Sequence, residues 1–286
     1  MPPILVLGAN GNVGAAVASA LSSAGRPTRL ALRSPGDADR LPERSTSVQF
    51  DFGDPATWTA AFDGVTSMFL LRPPAIGNVR RDLLPAVAAA QAAGVEHVVF
   101  LSLQGAERNK VVPHATVETW LRRSGLSWTF VRPSFFHQNL STTHAPDIRD
   151  HDAIVVPAGA GATAFVDAQD VGAVAAAALL DPQAHHDKAW TVTGPDALTY
   201  DQVANILSRV LHRPIHYTRP GLVQYARHAR TQLGMPWGMV AVTSAIYTTA
   251  RLGLARTLSG DAARVLGRPP TSFEEFAVRE RLSWTP

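Results

Sequence analysis

The 286-residue chain contains no cysteine. That single absence excludes disulfides, thiolate metal sites and a cysteine nucleophile, and it fits a cytoplasmic protein. A charged leader is also missing, and the first apolar run is too short for a signal peptide before it meets a glycine turn. No hydrophobic stretch reaches the roughly 20 residues of a membrane span. The nearest, residues 237–250, carries Thr243, Ser244, Thr248 and Thr249 and reads as a buried or pocket-covering helix. Charged residues make up 17% with a net charge of +3, and neither an acidic nor a basic tract occurs. Without a basic stripe interleaved with aromatics, neither nucleic acid nor membrane is expected as a partner. What is present is a 46% hydrophobic chain, enough for one large α/β unit carrying a smaller lobe.

The chain opens on the apolar run Pro3-Ile4-Leu5-Val6-Leu7, which feeds into Gly8-Ala9-Asn10-Gly11-Asn12-Val13-Gly14 and then an alanine-rich segment. This order is strand, glycine turn, helix, with the spacing GxxGxxG. The first glycine permits a tight turn, the second lets backbone amides approach a pyrophosphate, and the third lets the helix pack on the strand. Further strands are expected at 28–32, 47–51, 66–71, 96–101 and 126–131, with helices at 12–24, 55–62, 77–92 and 113–124. Strands alternating with helices predict a Rossmann-type doubly wound parallel sheet. After Pro133 the alternation loosens, with short strands at 154–156, 163–166, 190–193 and 214–217 and helices at 170–180 and 199–211. The expected division is a dinucleotide-binding domain at 1–133 and a smaller α/β substrate lobe at 134–286, with residues 164–194 or so returning to the first sheet.

Several residues point to chemistry. The second strand ends in Leu30-Ala31-Leu32-Arg33, where a dinucleotide fold selects its cofactor. An arginine pairs with a 2′-phosphate where an aspartate would repel it, so NADP(H) is favoured; Asp37 and Asp39 keep NAD(H) open. Asp51, followed by Phe52, is placed to accept from an adenine amino group, while Asp54 reads as the cap of a helix opening at Pro55. Leu71 and Arg72 end the fourth strand and are expected to border the cofactor's ribose and nicotinamide. The fifth strand delivers Ser102 to the same edge, and His114 and Glu118 lie four apart on one helical face. Ser102 and His114 are the candidate catalytic residues, to orient an acceptor or supply a proton. The YxxxK pair of ordinary short-chain dehydrogenases does not occur on this face. Asp167 and Asp170 read as a helix cap and a first-turn acid, and the adjacent His185 and His186 as a solvated turn; no metal site is expected.

The chain resembles the NmrA-like family of atypical short-chain dehydrogenase/reductase proteins over nearly its whole length. The resemblance is carried by Gly8, Gly11 and Gly14, by Asp51, by HATVETWLRRSGLSWTFVRPSFFHQNL (114–140) and by AFVDAQDVGAVAAAAL (164–179). TGPDALTYDQVANILSRVLHRPIHY (193–217) and GRPPTSFEEFA (267–277) extend it toward the C-terminus. It implies a Rossmann domain with a substrate lobe and bound NAD(P)(H). It further implies that Pro133, Ser134, Phe135 and Phe136 line the nicotinamide, with His137, Gln138 and Asn139 near the substrate mouth; Asn139 reads equally as a structural amide. Related reductases often carry lysine where this chain has His114.

The resulting expectation is an NADPH-dependent reductase passing hydride to a quinone, enone or carbonyl small molecule. A quinone acceptor suits the missing dyad, because its delocalised oxyanion takes a proton from water. The alternative is an NADP(H)-sensing regulator without turnover that acts on a protein partner. A homodimer is compatible with either.

Overall fold

The computed structural model describes residues 1–34 and 41–285. Asp37 and Asp39 lie outside the described residues. The chain divides into two compact units: Met1–Pro133, Ala168–Val192 and Asp261–Arg268 form unit 1, and Ser134–Asp167, Thr193–Gly260 and Pro269–Pro286 form unit 2.

Unit 1 begins with β1 (Ile4–Leu7), α1 (Asn12–Ser23), β2 (Thr28–Leu32), β3 (Ser45–Gln49), α2 (Trp58–Phe62) and β4 (Ser67–Leu71). It continues through α3 (Val79–Asp82), α4 (Leu84–Ala92), β5 (His97–Leu101), α5 (Pro113–Leu121) and β6 (Ser127–Pro133). In unit 2 follow β7 (Phe135–Phe136), α6 (Gln138–Ser141), α7 (Ala145–His151), β8 (Ala153–Ile154) and β9 (Ala162–Val166). Unit 1 then receives α8 (Ala168–Leu180), α9 (Pro182–His185) and β10 (Lys188–Val192). The remainder is β11 (Ala197–Thr199), α10 (Tyr200–Leu211), β12 (His216–Tyr217), α11 (Leu222–Thr231) and α12 (Trp237–Arg251) in unit 2, α13 (Asp261–Leu266) in unit 1 and α14 (Phe273–Arg279) in unit 2.

In unit 1, seven strands pair in parallel in the order β10-β6-β5-β4-β1-β2-β3. Central strands are apolar on both faces, as β1 shows with all four residues buried, whereas the edge strand β3 is Ser-Thr-Ser-Val-Gln and largely exposed. The order reverses between β1 and β4, the place where open α/β sheets form a ligand crevice at their carboxyl ends. The doubly wound parallel sheet expected from the sequence is what unit 1 contains. Helices α1 and α8 pack closely through small residues: a Cβ on Gly172 would overlap the Ala16 methyl and stand 2.9 Å from the Ala16 carbonyl carbon.

Three expectations are corrected. The single helix at 77–92 is two, because Pro85 has no N–H to continue the ladder and Leu83 leaves helical geometry at φ −125°. Of the strands after Pro133, β10 joins the large sheet, while β9 pairs with β7 and β11 and β8 pairs with β12 within unit 2. Residues 261–268 belong to unit 1, where the Asp261 carboxylate accepts from the Thr191 N–H of β10 at 3.0 Å. Unit 2 has its own aromatic core, built on Phe165, Tyr200, Tyr225, Tyr247, Phe276 and Trp284. Among the described residues no helix is long and apolar enough to cross a membrane.

Candidate cofactor and active site

The glycine turn stands at the carboxyl end of β1, at the reversal of strand order. Gly8 has φ +66°, a conformation that side chains resist, and a Cβ there would overlap Leu71 at the end of β4. Gly14 is tighter: its Cβ would overlap the Gly8 carbonyl oxygen and stand 2.6 Å from the Gly8 carbonyl carbon. Gly11 faces open space by comparison, its nearest neighbour at 3.4 Å, and its N–H closes the turn onto Gly8 O at 2.9 Å. Buried Val13 anchors the first turn of α1, while Asn10, Gly11 and Asn12 are exposed. No side chain caps the helix, so its first amides are presented outward at the positive end of a twelve-residue helix. A turn that only glycine lets the helix pack against this closely, with uncapped helix amides beside it, fits a pyrophosphate.

Around the cradle the structure places the expected residues unequally. Arg33 is exposed immediately beyond β2. Asp51 follows β3; its Oδ1 accepts from the Gly53 N–H at 2.7 Å and its carbonyl from the Trp58 indole at 2.9 Å. Those bonds fix an exposed carboxylate at the sheet edge, while Phe52 stacks edge-on against buried Phe50 at 5.0 Å. Asp54 caps the turn at Pro55 through the Ala56 N–H at 3.1 Å, as its sequence context predicts. Arg72 is held locally: its Nη1 donates to the carbonyls of Pro73, Pro74 and Ile76, the last at 2.6 Å. It fastens the loop after β4, and burial lowers its pKa.

Ser102 is already engaged. It is buried at the end of β5 and its Oγ donates to Glu118 Oε1 at 2.7 Å. Glu118 is itself buried on α5 and accepts from Arg132 Nε at 2.9 Å and Nη2 at 2.7 Å, and from Arg122 Nη2 at 3.0 Å. Burial pushes the Glu118 carboxyl up, but the bonds from Arg132 and Ser102 and the charges of Arg132 and Arg122 hold it below the ordinary carboxylate range. The serine hydroxyl therefore serves a buried ionic cluster. Sequence reasoning placed Glu118 beside His114 but missed Arg132, whose only advance signal was an arginine at the end of a predicted strand.

His114 lies in the first turn of α5, its ring 6.0 Å from Phe100 and its Nδ1 buried without a partner among the described residues. Burial, reinforced by the Arg72 charge against the opposing pull of Glu118, lowers its pKa to about 4. At neutral pH it is an uncharged imidazole, able to form a hydrogen bond and poorly suited to deliver a proton.

Pro133 closes β6, its carbonyl accepting from the Gln104 N–H at 2.9 Å. In unit 2, Phe135 and Phe136 form the short strand β7 and are half-buried, with Phe135 packed on the unit's core. His137 is not at a mouth: at 1% exposure it is enclosed by Phe165, Phe273 and Phe276, with ring centroids at 6.1, 5.3 and 5.0 Å. Gln138 is tied to Asp167 Oδ1 at 2.8 Å, and Arg279 reaches the same carboxylate at 2.8 Å. Asn139 is exposed and its carbonyl accepts from the His144 N–H. Asp170 pairs with Arg268 at 2.7 Å, and His185 Nδ1 accepts from the Trp190 indole at 3.0 Å. Among the described residues no group of three or more His, Asp or Glu is placed to hold a metal.

Four histidines share one electrostatic state. In His97, His114, His137 and His144 burial is the largest cause of a pKa lowered to about 4 from 6.5. His97 illustrates it: Thr129 Oγ1 donates to the His185 carbonyl and so accepts from His97 Nε2, which sets the Nε2–H tautomer of a ring that burial keeps neutral. A folded pKa below the unfolded one means the unfolded chain binds more protons between those values. Stability is full above about pH 6.5 and declines as pH falls toward 4, by up to about 1.4 kcal/mol per pH unit for each histidine. Urea unfolding followed across pH 4 to 7 is expected to show this slope, and a flat profile would contradict the buried neutral state.

The chain is similar to known proteins along nearly its whole length. The NmrA-like family matches residues 2–276. The chain is 35% identical over 283 residues to the NAD(P)H azoreductase of Xenophilus azovorans, covering 96% of each protein. It is 35% identical over 295 residues to the (4-alkanoyl-5-oxo-2,5-dihydrofuran-3-yl)methyl phosphate reductase of Streptomyces griseus, covering 99% of each. An NADPH-dependent quinone oxidoreductase of Escherichia coli, solved with NADPH, matches at a TM-score of 0.86 and 25% identity, over 98% of this chain and 99% of that one. All three are reductases or oxidoreductases, and the first and third are named for NAD(P)H or NADPH, in agreement with the expectation of an NAD(P)H-dependent oxidoreductase. With the family match spanning both units and relatives aligned end to end, the chain belongs to the NmrA-like family.

Proposed function

We propose that this protein is an NADPH-dependent reductase that passes hydride to a quinone, enone or carbonyl small molecule. The observation that carries the reading is the Gly8–Gly11–Gly14 cradle at the reversal of strand order. Three reductases similar to the chain support it. The amides of the first turn of α1 would hold the pyrophosphate, Arg33 the 2′-phosphate, and Asp51 the adenine amino group. Leu71, wedged against Gly8, would form an apolar wall beside them. NADPH, when bound, supplies the hydride. His114 contributes a hydrogen bond rather than a charge, so the acceptor best matched is one whose reduced oxyanion is delocalised and takes its proton from water. A quinone meets that condition.

The test is NADPH oxidation followed with a panel of quinones, enones and carbonyl compounds. Turnover with at least one quinone is expected; tight NADPH binding without turnover on any acceptor would turn the reading toward a redox sensor. The cofactor preference has its own check. Arg33→Ala removes a charge-assisted contact worth about 1.5–3 kcal/mol, so NADPH affinity is expected to fall roughly 10- to 100-fold while NADH affinity stays nearly unchanged. Equal losses for both cofactors would defeat the assignment of Arg33.

A further inference from the structure

Unit 2 contains a hollow of about 690 Å³ lined by Gly221, Leu222, Val223, Gln224, Arg227 and Arg251. That volume lies in the range of small-molecule sites. It sits at one end of an antiparallel helix pair. Tyr225 of α11 donates to Thr243 Oγ1 of α12 at 2.9 Å and its ring meets Tyr247 at 5.6 Å, so the start of α11 lies beside the end of α12.

Three features give the hollow a chemical preference. Its walls at Leu222 and Val223 are apolar side chains left 44% and 86% exposed. Its two charged groups are both cationic, and among the described residues neither Arg227 nor Arg251 forms an ion pair with a carboxylate. The ten-residue α11 starts at Gly221 with no side-chain cap, which adds positive potential on the same side. At the opposing end of α12 the Thr248, Thr249 and Ala250 carbonyls accept from the N–H groups of Leu252, Leu254 and Gly253, so these three are not left as unpaired acceptors toward an anion.

The stem of the second arginine lies against a neighbouring loop. A Cβ on Gly161 would overlap the Ala250 carbonyl, and a Cβ on Gly159, at φ +58°, would stand 3.3 Å from Arg251 Cγ. The glycines at 159 and 161 therefore let the loop before β9 press against the end of α12, with the Arg251 stem lying across it. We infer that this hollow binds amphipathic organic anions, molecules with an aromatic or alkyl body and one sulfonate, carboxylate or phosphate. The body lies on Leu222 and Val223, and the anion meets the two guanidinium groups, which suit its planar pairs of oxygens.

The inference is independent of the reductase reading, because binding is measured without turnover. Calorimetric titration compares naphthalene-2-sulfonate with its neutral isostere naphthalene-2-sulfonamide, on the full chain with and without saturating NADPH. The sulfonate is expected to bind about tenfold more tightly. Arg227→Gln combined with Arg251→Gln should remove that preference and leave sulfonamide affinity, NADPH affinity and the unfolding midpoint unchanged. Arg227→Lys with Arg251→Lys keeps both charges and should retain most of it. Equal binding of the two probes, a preference that survives the Gln pair, displacement of the sulfonate by NADPH, or no binding at millimolar probe would each overturn the inference.

Discussion

Gly14→Ala is expected to weaken NADPH binding by at least roughly 100-fold, on the scale of a 1 Å misplacement at a preorganised site. The new methyl would overlap the Gly8 carbonyl oxygen, a backbone atom that cannot rotate away. Relief requires α1 to lift from the turn, yet its far side has no slack, because Gly172 of α8 already lies against Ala16 and Val17. The same overpacking should cost about 3 kcal/mol of stability. Gly11→Ala is the matched control: its Cβ meets nothing closer than 3.4 Å and its φ of −91° is ordinary, so folding should change little. Cofactor affinity by fluorescence titration and stability by urea unfolding separate the two variants. Wild-type affinity in Gly14→Ala would remove the cradle from the cofactor site.

The contrast between those two glycines shows what could be read from the chain. Strand, turn and helix are contiguous, so the steric demand at Gly8 and Gly14 is local and visible as spacing. The edge character of β3 and the cap at Asp54 are local for the same reason. The surroundings of His137 are not legible, because its cage comes from Phe273 and Phe276, contributed by α14 far along the chain. A histidine in an apolar cage and one at a ligand mouth have the same sequence. Asp261 reaches Thr191 across 70 residues to extend the edge of β10, and no periodic pattern announces such a contact. Ser102 is legible to the same degree: its position at a strand end is local, but the carboxylate that its hydroxyl meets is supplied by the neighbouring helix.

That carboxylate is where the largest loss of stability is expected. Glu118 at 1% exposure receives four hydrogen bonds, one from Ser102, two from Arg132 and one from Arg122. Glu118→Leu leaves the buried Arg132 guanidinium, among the described residues, with only the more distant carboxylate of Glu107, at 3.3 Å, and should destabilise the fold by about 3–5 kcal/mol. The cost arises from an uncompensated buried charge more than from the lost attraction. Glu118→Leu combined with Arg132→Met, which removes both charges, should therefore recover most of it. The pH dependence has a definite sign: a carboxyl held below its unfolded pKa contributes stability above that value and loses it as pH falls through the folded one. Wild type should thus lose this contribution in acid below about pH 4.5, while the double variant should not. Urea unfolding of the three proteins over that range decides it, and a single variant costing under 1 kcal/mol, or a double variant no better than the single, would show that Arg132 finds water or Glu107 sufficient without Glu118.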